Sequence, residues 1–212
     1  MVGAEVAAAA AGSPPDWRKY SELPLHPILA AALADFQQYG YHGSTVRGIA
    51  ARVGVTMPSL YYHYGSKEGI LFALLDVAMD DLQTRIDECL EDAGDDNRIR
   101  FENFVTTVAL HNTHRRDLAM LHGEYRFLGP TLRGRYLARR AIVERTLEDL
   151  LDAGIADGSF NDEDTHWTAR VLFGMLGGIL DWYRESGPLT PTEIADRYKQ
   201  SAARLTFKGS AS

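Results

Sequence analysis

Residues 56–70 read TMPSLYYHYGSKEGI, a run that sets Tyr61, Tyr62, His63 and Tyr64 in a row with Lys67 just beyond. Phenols, an imidazole and an ammonium on one short helix are hydrogen-bonding groups in search of a polar surface. At about 100° per residue, Leu60 and Tyr64 share one face, while Pro58, Ser59, Tyr62 and His63 gather on the opposite one. The first face suits a core. The second suits nucleic acid: Ser59 can hydrogen-bond base edges, Tyr62 can touch thymine methyls or phosphates, and Tyr61, His63 and Lys67 can meet phosphate oxygens. The competing reading takes the aromatics as packing residues of a small helical domain.

Covalent chemistry has no comparable footing. The chain carries no nucleophile elbow, no glycine-rich phosphate loop, no zinc motif and no matched carboxylate pair, so no catalytic residue and no cofactor is assigned, and the chain does not read as an enzyme. His111 and His114 stand at i, i+3, a spacing that can ligate a metal, with His122 further on. No cysteine or suitably spaced carboxylate joins them, and no metal is assigned.

The elements that would hold the aromatic row are helical. Residues 27–40 form an apolar helix with Leu29, Leu33 and Phe36 on one stripe and Gly40 as its cap. A short helix follows over 45–53. Gly54 supplies a turn with positive φ, and Thr56 caps the aromatic helix, with Pro58 tolerated in its first turn. Ala50 is small where the two short helices cross, and Ile49, Val53, Val55 and Leu60 pin them together. That is the helix-turn-helix pattern, whose second helix enters the DNA major groove. Thr45 and Arg47 open the first of the pair within reach of the backbone.

A long helix starts after Ser66 and runs to about residue 91, then DAGDDN breaks the chain at 92–97. Further helices are expected at 98–114, 116–128, 131–156, 162–186 and 191–207, the last opened by a capping box at Thr190 and Glu193. The expected fold is all-α: a tail over 1–22 read as disordered, a three-helix helix-turn-helix domain over 23–68, and a helical ligand-binding and dimerisation domain over 69–212.

Net charge is −7, which argues against a protein that coats nucleic acid. The charge is uneven, however. Residues 18–67 hold five basic against two acidic residues, whereas 68–212 hold 17 basic and 25 acidic, so DNA contact belongs near the N-terminus. No apolar run approaches the ~20 residues of a membrane span. One cysteine, Cys89, allows no internal disulfide, and a cytoplasmic location is expected.

Taken together, residues 25–75 resemble the N-terminal domain of TetR-family transcriptional regulators. The residues that carry the resemblance are Phe36 and Gly40, then Thr45, Ile49, Ala50, Gly54 and Val55, then Leu60, Tyr61, Tyr62, His63, Tyr64, Lys67, Glu68 and Leu71. Tyr64 stands where phenylalanine is commoner, and Gly48 where a polar residue is frequent. The resemblance implies a homodimeric repressor that reads a double-stranded DNA operator and is released by a small-molecule effector. It maps DNA contacts onto Thr45, Arg47, Thr56, Pro58, Ser59, Tyr61, Tyr62, His63 and Lys67. It also implies that effector binding shifts the helix after Ser66 and so changes the spacing of two recognition helices. The stretch LDWYRESGPLTPTEIADRY is similar to the end of regulators of lipid, steroid or acyl-CoA catabolism in high-GC bacteria, which points to a hydrophobic or acyl-type effector such as a fatty acid or acyl-CoA. The alternative is a helical interaction or ligand-binding protein that no longer reads DNA.

Candidate effector contacts are Phe104, Val108, His111, Leu121, Tyr125, Phe127, Tyr136, Trp167 and Phe173, an aromatic-rich set suited to a hydrophobic or amphipathic molecule. Arg139 and Arg140 could meet an anionic head group. Gly174, Gly177 and Gly178 each cost a helix about 1 kcal/mol relative to alanine, so they need a reason. Close helix approach across a dimer, with Trp182, is favoured over room for a ligand.

Overall fold

The computed structural model describes residues 16–161 and 164–208. Its elements are α1 (Pro27–Gly43), α2 (Val46–Val53), α3 (Met57–Tyr64), α4 (Lys67–Asp92), α5 (Asn97–His114), α6 (Arg116–Met120), a 3-10 segment (Leu121–Phe127), α7 (Pro130–Ala156), α8 (Thr165–Gly177), α9 (Ile179–Trp182) and α10 (Pro191–Thr206). The sole β pairing among the described residues is an isolated bridge between Phe160 and Phe207. The all-α expectation is met.

The N-terminal helices form because their ends are chemically marked. Thr45 Oγ1 accepts from Gly48 N–H at 3.0 Å, Thr56 Oγ1 from Ser59 N–H at 3.3 Å and Ser66 Oγ from Gly69 N–H at 3.0 Å. Each such cap contributes about 1 kcal/mol by satisfying an otherwise orphaned donor. Gly54 takes φ 76°, and its N–H returns to Ala50 O, as the turn demanded. Ile28, Ala32, Phe36, Ile49 and Leu60 are buried between α1, α2 and α3.

Gly48, unusual by family pattern, has a local cause. A Cβ there would stand 3.2 Å from Thr45 Oγ1 and 3.3 Å from the buried Asp35 carboxylate, which Arg52 holds at 2.7 Å. The constraint at Gly69 is more severe, since a Cβ would lie 1.9 Å from the Tyr64 carbonyl oxygen. Alanine normally gains about 1 kcal/mol over glycine inside a helix. Gly69→Ala is expected to reverse that sign and lower stability by about 1–3 kcal/mol, because the α3–α4 junction must move to admit one methyl group. Thermal melts of the variant check this; a raised Tm would contradict it.

In the larger domain, α5 is the central helix. Phe101, Phe104, Val105 and Val108 are buried, and the helix packs against α4, α7, α8 and α10. Arg139 ion-pairs with Asp76 at 2.8 Å and with Asp80, joining α7 to α4, so it is not available as the head-group ligand considered from the sequence.

Two expected helices are interrupted. The one placed at 162–186 ends at Gly177, restarts as α9 and stops at Trp182. Gly174, Gly177 and Gly178 weaken helix propagation there. Residues 162–163 of that expected helix lie outside the described residues. The helix placed at 116–128 is α6 followed by the 3-10 segment. Arg133 accounts for its end by donating to the carbonyls of Leu128 at 3.0 Å and Arg126 at 2.8 Å.

The expected tail also needs correction where it is described. Residues 1–15 lie outside the described residues, but 16–22 pack along α4 and α5. Trp17 is buried, and its indole N–H donates to Asp92 at 3.1 Å. Arg85 holds the carbonyls of Trp17 and Lys19, each at 3.0 Å, and Arg115 holds that of Ser21 at 2.9 Å. Arg18 pairs with Asp92 and Lys19 with Asp16.

Candidate DNA-reading surface and effector cavity

On α3 the two faces separate as the helical period demands. Leu60 is fully buried and Tyr64 half-buried, whereas Tyr62 is 87% exposed and Tyr61 47%. Pro58 and His63 are exposed too, and Ser59 is half-buried. His63 is flanked by Tyr62 and by His26, ring centroids 5.4 and 5.8 Å away. Arg47 is exposed on α2. Thr45 and Thr56 have their hydroxyls engaged as caps, which leaves them a second lone pair and one O–H each for another partner.

Lys67 is less free than its sequence suggests. Its ammonium donates to Ser44 O at 2.6 Å, reaches His42 O at 3.5 Å and sits 4.5 Å over the Tyr41 ring. Burial pushes its pKa below the ordinary lysine value. Two of its three donors hold the end of α1, so its first role is to fix α1 against α4.

A cavity of about 340 Å³ lies between α4, α5, the 3-10 segment, α7, α8 and α9. It is lined by Met79, Leu82, Val108, Asn112, His122, Gly123, Tyr125, Tyr136, Arg140, Val143, Glu144, Phe173, Leu176, Gly177 and Leu180. The size and apolar wall are those of a small-molecule site. A wider groove of about 730 Å³, between residues 22–25, 113–118 and 183–191, has a more charged wall, including Glu22, Arg115, Arg116, Asp117, Arg184 and Glu185. The smaller cavity fits an apolar guest better.

Of the sequence-based effector candidates, Val108, Tyr125, Tyr136 and Phe173 line this cavity. The others do not. Phe104 is fully buried with its ring against Phe173, and Leu121 is buried off the wall. His111 is sealed beside Asp81. Trp167 points outward, 64% exposed. Phe127 turns the other way and stacks on Tyr41, with centroids 5.6 Å apart and planes 10° from parallel; its edge contact to His42 is 4.2 Å. Among the described residues no group of three or more His, Cys, Asp or Glu is placed to hold a metal. Burial pushes the Cys89 thiol up to about 12.

Gly177 belongs to the cavity wall, and Gly178 sits at the α8–α9 break. A Cβ at Gly174 would meet nothing within 4 Å. Helical period sorts these residues. Phe173, Leu176, Gly177 and Leu180 form the i, i+3, i+4, i+7 stripe that faces inward, and Trp167, Val171, Gly174 and Gly178 form the opposite one. On α7 the helical period likewise joins Tyr136, Arg140, Val143 and Glu144, at i, i+4, i+7 and i+8. Of the two arginines considered from the sequence for a head group, Arg140 is the one on the wall, where it pairs with Glu144 at 3.0 Å.

His122 and Tyr136 form the main polar feature of the wall, Nδ1 to Oη 2.7 Å. Burial, with the charges of His111 and Arg140, pushes the His122 imidazole down to about 3, and burial pushes the Tyr136 phenol well above its ordinary value. Both groups are neutral around pH 7.

The 3-10 segment joins the two regions. His122 and Tyr125 touch the cavity, Phe127 touches Tyr41 and His42 at the end of α1, and the Gly129 N–H donates to Glu68 Oε1 at 2.7 Å at the start of α4.

Comparison with known proteins follows the same division. A model of bacterial regulatory proteins of the tetR family matches residues 28–74, and one of tetracyclin repressor-like C-terminal domains matches residues 80–206. The HTH-type transcriptional repressor KstR2 of Rhodococcus jostii (strain RHA1) is 33% identical over 175 residues, covering 81% of this chain and 85% of that protein. The structure of ketosteroid transcriptional regulator KstR2 of Mycobacterium tuberculosis has a TM-score of 0.77 at 25% identity, covering 86% of this chain and 94% of that one. AibR, solved in complex with isovaleryl coenzyme A and operator DNA, has a TM-score of 0.72 at 25% identity, covering 84% and 95%.

Proposed function

This chain belongs to the TetR family of bacterial regulatory proteins, and on that premise we propose that it is a dimeric repressor that α3 seats on operator DNA and that a hydrophobic, carbonyl-bearing or acyl-type effector releases. The observation that carries the reading is the pairing of an exposed, polar-tipped aromatic face on α3 with an apolar cavity, joined by one short segment. Tyr62, Tyr61, His63, Ser59 and Pro58 face the groove, Thr45, Thr56 and Arg47 meet the flanking backbone, and Lys67 braces the start of α4 with one N–H left for a phosphate. The acyl or ring portion of an effector fits the cavity, and a coenzyme A portion extends outside it. AibR, with its isovaleryl coenzyme A, supplies the precedent for that ligand class.

The dimer reading places the outward stripe of α8, with Trp167, Val171 and Gly174, against a second copy, together with the exposed Trp182 and Leu205. The Trp182 indole N–H donates to Tyr198 Oη at 3.2 Å, which joins the end of α9 to α10 on the same side. Two recognition helices on such a dimer read major grooves ~34 Å apart. The reading is lost if the protein is a monomer at working concentration.

Fluorescence anisotropy on the chain's own upstream intergenic DNA, at fixed salt and against scrambled competitor, is the test. Tyr62→Ala is expected to weaken specific binding roughly 10- to 100-fold, about 1.4–2.8 kcal/mol. Because Tyr62 is exposed, the melt should be unchanged. Unchanged specific affinity in this variant would remove α3 as the reading helix.

A further inference from the structure

His122, on the cavity wall, carries a ring nitrogen that no group among the described residues engages. His122 Nδ1 is committed to Tyr136 Oη at 2.7 Å. Of two neutral partners, the phenol is the better donor and the unprotonated imidazole nitrogen the better acceptor, so Tyr136 donates and Nδ1 accepts. That choice fixes the tautomer and puts the proton on Nε2. Nε2 makes no hydrogen bond among the described residues, and unlike both ring nitrogens of His111 it is not sealed away from open space. His122 and its partner Tyr136 are both wall residues of the cavity, and we take the cavity as the space this N–H faces.

We propose that His122 Nε2–H is the donor that receives a neutral carbonyl of the effector, a ketone or a thioester rather than a free carboxylate. The inference rests on the cavity being the effector site. A donor left empty in an apolar enclosure selects guests that can accept from it. The charge pattern disfavours the free acid. His122 is uncharged, and the one cation on the wall, Arg140, shares its charge with Glu144 at 3.0 Å, so a carboxylate has to compete with that carboxyl group for it while giving up its water. Asn112 gives one of its two amide N–H groups to Leu176 O at 3.0 Å, and the His122→Phe comparison separates its remaining donor from that of the imidazole.

Three probes of similar size separate the possibilities: diphenylmethane, benzophenone and diphenylacetate, titrated calorimetrically into the full-length protein. Benzophenone is expected to bind roughly 3- to 10-fold tighter than diphenylmethane, the ratio one net hydrogen bond gives, with diphenylacetate weakest. His122→Phe should abolish the ketone's advantage while keeping diphenylmethane binding, and His122→Gln, which retains an N–H, should preserve part of it. Infrared spectroscopy of carbonyl-labelled benzophenone on the wild-type protein needs no variant, and its stretch should shift to lower frequency than in hydrocarbon solvent.

Equal binding of ketone and hydrocarbon with an unshifted stretch would overturn the donor role and leave the cavity standing as an apolar site. Tightest binding of diphenylacetate would overturn the neutral class. Binding of none of the three to the wild-type protein would overturn the cavity reading itself, and the donor role with it.

Discussion

Replacing Asp81 with alanine is expected to lower folding stability by about 3–5 kcal/mol, the range for leaving buried charges without their partner. Asp81 sits on α4 with its side chain 10% exposed, between Arg85 and Arg115, whose side chains are 12% and 10% exposed. Arg85 Nε donates to Oδ1 and Arg115 Nε to Oδ2, both at 3.2 Å. The ring of Tyr20 lies 3.7 Å from the Arg85 guanidinium and 5.1 Å from that of Arg115, and His114 stacks on Tyr20 with centroids 4.5 Å apart. Without the carboxylate, two guanidiniums face each other inside the fold, and the carbonyls of Trp17, Lys19 and Ser21 lose well-placed donors. The loss should therefore have a local readout as well. Tryptic cleavage near Arg18 and Lys19 should speed up in the variant, while chemical denaturation reports the global cost. A variant within about 1 kcal/mol of wild type would show that the network is neutral.

The same carboxylate sets a pH dependence whose direction follows from its environment. Burial raises its pKa, but the contacts of His111 and Arg85 and the charges of Arg85 and Arg115 outweigh burial and hold Asp81 well below the usual carboxylate range. A depressed folded pKa stabilises the fold fully above the unfolded value near ~4, and that contribution fades as pH falls from there toward the folded value. The wild-type protein should lose stability on this acid limb, and Asp81→Asn should show a shallower one. His111 adds to the acid sensitivity with the opposite group type. Burial, ahead of the raising effect of Asp81, lowers its pKa, so it must gain a proton on unfolding as pH falls below ~6.5.

What was legible in the sequence was what short-range chemistry decides. Thr56, Ser66 and Thr190 each cap the helix that follows them, and Thr45, expected as the first residue of its helix, caps it instead, because a cap is settled by residues two or three positions away. The core side of α3 followed from period alone. The cavity wall was less legible, because it depends on which side of α7 and α8 meets a space left unfilled by four other helices. Aromatic type was a poor guide there: Trp167 is large and faces out, while Gly177 is small and faces in. His122 was visible only as a stray metal candidate, since its partner Tyr136 comes 14 residues later across a change of helix. The Asp81–Arg85 pair, four residues apart, is visible in the sequence, but Arg115 comes 34 residues after Asp81, and the arm carbonyls that complete the network lie 66 to 94 residues from their arginines. Trp17 and Tyr20, strongly apolar residues in an otherwise featureless tail, were the available sign that the arm packs.

Phe127→Ala should uncouple the effector from DNA while leaving both binding events intact. The residue lies outside the cavity and off α3, so neither affinity alone depends on it by contact. It occupies the last position of a seven-residue 3-10 segment that also carries His122, near its start, and Tyr125. Such a segment is a short lever between two packed regions. On the proposed reading, a guest that displaces His122 or Tyr125 would move Phe127 against Tyr41 and His42, where Lys67 Nζ also grips Ser44 O and His42 O. The Gly129 N–H bond to Glu68 would carry the same displacement to the start of α4. Couplings of this kind typically amount to 1–3 kcal/mol, a 5- to 150-fold change in affinity. In the alanine variant the factor by which effector weakens DNA binding should fall to about threefold or less. Linkage provides an internal check, since DNA must weaken effector binding by the same factor in each protein. Two titrations, effector with and without DNA and DNA with and without effector, measure one quantity twice. If Phe127→Ala keeps the full factor in both, the displacement reaches α3 along α4 alone, and the 3-10 segment is only a wall of the cavity.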